Sequence, residues 1–148
     1  MKKLMLGLIA ILMGVMLANC GGEKSSEGGK SDVKDAKSKF MSLDEDVKKN
    51  GNSWSLEEWE NYNKEYLNAL EAFLFSDDIN EDDFNEVYKL IEDPLPSLSG
   101  DAWVLCNEAV NNLHKYEKIV KQEQRIEDRI DELRHLWEEK KEGVKAEE

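Results

Sequence analysis

The chain has 148 residues, with 33 acidic residues against 20 basic and a net charge of −13. Its basic residues are interspersed with acids rather than clustered, so it repels phosphates; this argues against nucleic acid as a partner and against electrostatic docking on anionic lipid. Four Trp, four Tyr and four Phe supply enough large apolar surface for a folded core, and two cysteines give no disulfide framework.

Lys2 and Lys3 precede a fifteen-residue apolar stretch, Leu4 to Ala18, which ends at Cys20 and gives way at once to GGEKSSEGGK. That order of charge, apolar run and polar stretch reads as a secretory signal over 1–19. The run is short of the roughly 20 apolar residues that a helix needs to cross a bilayer, which disfavours a retained span. Leu17-Ala18-Asn19-Cys20 resembles the lipobox of bacterial lipoproteins, although Asn19 stands where that motif usually has Gly, Ala or Ser. The resemblance implies that Cys20 is lipidated and becomes the mature N-terminus, anchoring the protein to a membrane of the bacterial cell envelope. Gly21, rather than Asp, follows the cysteine, which in some bacteria permits export, so the outer membrane or cell surface is expected before the inner membrane. A plain signal peptide cut near Ala18 remains the other way to read the segment. Residues 20–31 form a flexible tether, rich in Gly and Ser. Loss of residues 1–19 removes two lysines and no acid, leaving 18 basic residues against 33 acidic and a net charge of −15.

Beyond the tether, apolar residues recur every three or four positions and strand-like alternation is nearly absent. An all-α domain over 32–143 follows, a small bundle of three to four helices with a long C-terminal helix and a polar tail at 144–148. A first helix near 32–50 carries a thin stripe of Val33, Ala36, Phe40, Leu43 and Val47, and closes at Asn50-Gly51. A second, 56–75, has Ser55 as cap, Glu58 to complete a capping box and Trp54 to close on Trp59. Its face of Trp59, Tyr62, Tyr66, Leu67, Leu70, Phe73 and Leu74 reads as core. A third, 80–93, repeats that grammar with Asn80 as cap and Ile79 against Phe84, and is ended by Pro94 and Pro96. Ser99 opens a last helix spanning 101–142, with Gly143 as its stop.

That last helix carries Ala102, Cys106, Ala109, Leu113, Tyr116, Ile119, Ile126, Ile130, Leu133 and Trp137 at helical spacing. Some 40 residues would reach about 60 Å, longer than the other helices can cover. Its second half is therefore expected to project, with Ile126, Ile130, Leu133 and Trp137 as a contact seam for an envelope protein or for self-association. Packing on the first helix is the competing expectation.

Catalytic chemistry is not legible. There is no phosphate loop, no G-x-S-x-G, no H-E-x-x-H and no paired C-x-x-C. The acidic run Asp77 to Asp83 lacks the frame of a calcium loop and suits a helix N-terminus. Glu132-x-x-His135 has no second such pair for a di-iron centre, so no metal and no cofactor are expected. Cys106, among Trp103, Val104, Leu105 and Val110, reads as a small core hydrophobe. The sequence points to a lipid-anchored helical interaction or structural protein without catalytic activity, and residues 21–148 are similar to the small acidic helical lipoproteins of unassigned function. The alternative is a small-ligand carrier or sensor with Trp54, Trp59, Tyr62, Tyr66 and Trp103 lining a pocket between helices.

Overall fold

Local chemistry starts the helices where their caps stand. In this computed structural model, which describes residues 33–92 and 98–147, Ser55 Oγ accepts from the Glu58 amide at 3.2 Å and Glu58 Oε2 accepts from the Ser55 amide at 2.7 Å. The Asp83 amide donates to Asn80 Oδ1 at 2.9 Å, and the Ala102 amide to Ser99 Oγ at 3.2 Å. Each of these bonds satisfies a backbone donor that a helix leaves without an internal partner. Among the described residues there are five α-helices: α1 Val33–Asn50, α2 Leu56–Leu74, α3 Glu81–Glu92, α4 Gly100–Leu113 and α5 Glu117–Glu147, with a 3-10 turn at Gly51–Ser53. There is no strand among the described residues. The signal segment, Cys20, the tether, and Pro94 and Pro96 lie outside them.

Helix α2 is the centre of the bundle. It forms an antiparallel hairpin with α1, in which Phe40 meets Tyr66 edge-on at 4.5 Å. Near the turn, Val47, Trp59 and Leu98 all close on Gly51, where an added Cβ would sit 3.1–3.3 Å from a side-chain atom of each, so a larger residue would need those side chains to give way. The thin stripe of α1 is therefore core, with Val33, Ala36, Phe40 and Val47 buried.

The expected helix over 101–142 is two helices. It breaks at His114–Tyr116, where Tyr116 N–H bonds to Leu113 O at 3.0 Å and Ile119 N–H to Tyr116 O at 3.0 Å. The break takes Tyr116 out of the apolar stripe, leaving it 62% exposed, and sets α5 against the later turns of α2, beyond those that α4 meets. Helix α5 then runs parallel to α2: Gln122 bonds to Asn68 and Glu71, Arg125 to Glu71, and Arg129 Nε to the Leu74 carbonyl. Further on it runs antiparallel to α3, with Arg134 over Tyr88, Trp137 against Phe84 and Lys141 paired with Glu81. Lys37 ties the other side of α3 to α1 through Asp83 and Glu86.

This path overturns the expected contact seam. Ile126, Ile130, Leu133 and Trp137 are 0%, 0%, 2% and 9% exposed and belong to the same core as α2 and α3. Their burial follows from the elbow, which gives the stripe covering helices that a straight 40-residue helix would have outrun. Helices α2 and α3 both lie against α5 along this stretch. Gly143 does not stop α5, which continues to Glu147, so the expected tail at 144–148 is helical over most of its length. Among the described residues, no helix is long and apolar enough to cross a membrane.

Candidate functional site

The aromatic face of α2 is the largest chemical feature of the core. Trp54 packs against Trp59 at 4.9 Å and Tyr62 at 5.0 Å, Trp59 and Tyr62 lie 5.8 Å apart, and Tyr62 continues to Tyr66 at 5.8 Å. The Trp54–Trp59 contact is the hydrophobic staple expected at the start of α2. Four of the five aromatics singled out from the sequence thus touch one another in a continuous ladder, as aromatic pairs prefer. Trp103 sits apart on α4, half-buried against the core. Burial pushes the Tyr62 and Tyr66 hydroxyls well above the ordinary tyrosine range, with the Asp44 carboxylate adding to it, so both stay protonated.

Two polar side chains inside this core have no hydrogen-bond partner among the described residues: the Trp59 indole N–H and both ends of the Asn63 amide. They lie one helical turn apart on α2 and both are fully buried. Such orphans cost about 1–3 kcal/mol each, so a core rarely keeps them without a use.

Helix α4 meets α2 through a small-residue face of Ala102, Cys106 and Ala109, all buried. Burial pushes the Cys106 thiol up to about 12, which holds it protonated and unsuited to nucleophilic work. Cys106 is therefore the core residue that its apolar neighbours suggest.

At the α4–α5 elbow, His114 Nε2 lies 2.9 and 2.8 Å from the two carboxylate oxygens of Glu123. The Glu123 carboxylate is buried, and burial raises its pKa above the ordinary value against the opposing pull of His114. No local motif in the sequence connects His114 to Glu123. Nine residues separate the two, a spacing that brings nothing together on a continuous helix, so only the break makes the pair. Among the described residues no group of three His, Cys, Asp or Glu could hold a metal ion. Of the pair Glu132 and His135, Glu132 bonds to Arg129 at 2.7 Å while His135 faces solvent.

No family model, no curated protein and no solved structure matches the chain.

Proposed function

We propose that the chain is a lipid-anchored protein of the bacterial cell envelope whose helical domain works by surface contact with an envelope protein or glycan, not by catalysis. The observation that carries this reading is the apolar segment ending at Leu17-Ala18-Asn19-Cys20 and followed by a polar tether. Each acyl methylene buried in a membrane contributes about 0.8 kcal/mol, so two or three chains on Cys20 would anchor the protein essentially permanently. A 12-residue tether over 20–31 has a root-mean-square reach of roughly 20 Å, enough to hold the domain clear of the headgroups. The strongly acidic surface suits a basic patch on a partner and keeps the domain off anionic lipid. With Ile126, Ile130, Leu133 and Trp137 inside the fold, contact falls to the outer faces of the helices.

Labelled palmitate should enter the wild-type protein and not Cys20→Ser, and wild type should partition with membranes while the variant does not. Equal label in the two, or a soluble wild type, would sink the anchor.

A small-ligand carrier or sensor is the second reading, and the orphaned Trp59 N–H and Asn63 amide favour it. Their ligand would be small, uncharged and able both to donate and to accept a hydrogen bond. A panel of small amides and alcohols should then change tryptophan fluorescence saturably in wild type and leave Asn63→Leu unmoved. A flat response in wild type across the panel refutes this reading.

A further inference from the structure

Asn50-Gly51, where α1 ends and the 3-10 turn begins, is the one Asn-Gly step in the chain. Such a step can modify itself. The Gly51 nitrogen attacks the Asn50 side-chain carbonyl carbon: a C–N bond forms, the Cγ–Nδ2 bond breaks, and ammonia leaves with the proton given up by the Gly51 amide. Water then opens the resulting succinimide at either carbonyl, giving aspartate or isoaspartate. One water is consumed and one ammonia released, with no oxidant and no enzyme. Glycine favours the attack because it has no Cβ to hinder its nitrogen or to restrict the backbone. We propose that Asn50-Gly51 is a latent deamidation site, which the folded α1–α2 turn keeps silent and which opening of that turn releases, leaving a lasting chemical record of the opening.

The folded geometry holds the reacting atoms apart. Closing the five-membered ring requires the Gly51 nitrogen to eclipse the Asn50 Cβ about the Cα–C bond, whereas Asn50 has φ −117° and ψ −16°, a helix-like ψ far from that eclipse. The Asn50 carboxamide is also held back along α1, its Nδ2 donating to Asp46 Oδ1 at 2.6 Å. Gly51 cannot swing round to meet it. It is buried, and the side chains of Val47, Trp59 and Leu98 crowd its Cα. The turn beyond is tied down as well: Ser53 Oγ donates to Asn50 O at 2.8 Å, Trp54 N–H to Gly51 O at 3.3 Å, and Ser99 N–H, from the cap of α4, to Asn52 Oδ1 at 2.8 Å. Reaction therefore needs a local opening of the turn. Neither product fits back. Aspartate at position 50 sets a carboxylate where Asn50 now donates to Asp46, replacing a hydrogen bond by a like-charge i,i+4 pair. Isoaspartate adds a carbon to the main chain just before Gly51, within the same crowded packing. Either change weakens the turn and favours its open state.

Peptide mapping by mass spectrometry tests this on the full chain in non-ionic detergent, incubated in parallel at mildly alkaline pH in native buffer and in guanidinium chloride sufficient to unfold it. Conversion at residue 50 should be at least about tenfold slower in the native sample. Asn50→Gln, whose ring would be six-membered, should abolish the signal in both. Chain converted while unfolded and then refolded should have a lower urea midpoint than chain taken through the same steps as Asn50→Gln. Equal rates in the native and unfolded samples overturn the protection, and absence of conversion at residue 50 in the unfolded chain overturns the site. A refolded product whose midpoint matches that of the Asn50→Gln chain overturns the misfit that makes the record lasting.

Discussion

Trp59→Ala should lower the free energy of unfolding by about 3–5 kcal/mol, measured as a shift of the urea midpoint at unchanged slope. Trp59 has no exposed surface, and its ring touches Trp54 and Tyr62 while its tip closes on Gly51. Truncation would therefore open a cavity where α1, the 3-10 turn and α2 converge, at a point where glycine already marks tight packing. It would also remove the partner of Trp54 in the staple that fixes how the chain enters α2. Against a typical domain stability of about 5–15 kcal/mol, a loss of this size leaves a marginal fold. Trp59→Phe separates packing from polarity: it keeps a ring but deletes the orphaned N–H, so it should cost clearly less than alanine. A loss below about 1 kcal/mol for Trp59→Ala would mean that the ladder is not the centre of the core.

What the sequence discloses depends on how far apart the interacting groups are along the chain. The starts of α2, α3 and α4 are legible because each cap bond spans three residues: Ser55 with Glu58, Asn80 with Asp83, Ser99 with Ala102. The buried face of α2 is legible from helical spacing alone, and so is the burial of Cys106. The elbow is not, because neither glycine nor proline marks His114–Tyr116. What holds it is a bond over nine residues, together with the packing of α5 on α2. Nor does Gly143 act as a stop. Glycine inside a helix costs only about 1 kcal/mol relative to alanine, and the helix-favouring residues around it outweigh that. Periodicity shows that Ile126, Ile130, Leu133 and Trp137 share a face but says nothing of what covers it. That information lies in contacts with residues about 50 positions away, such as Phe84 against Trp137.

The same elbow changes the expected result of the experiment that distinguishes a contact seam from a core. Replacing Ile130 by Glu and Leu133 by Lys together should unfold the domain, with loss of most helical circular dichroism and of a cooperative melt. The two residues are 0% and 2% exposed, facing α2 and α3 with no water to solvate a charge. Each replacement forfeits about 1.5–3 kcal/mol of apolar burial. Each also places an ionised group in the core at an effective cost of several kcal/mol. Mutual attraction of the introduced Glu and Lys recovers a fraction of that, since the two positions lie in a hydrophobic cluster. The sum reaches or exceeds the whole stability of a typical domain. Leu136→Glu supplies the control, because Leu136 lies one turn from Leu133 on the same helix yet is 44% exposed. It should change stability by no more than about 0.5 kcal/mol. If the double variant keeps its helical signal and melting midpoint, the α5 stripe is not held against α2 and α3 in solution, and a seam open to a partner returns as the better account of those four residues.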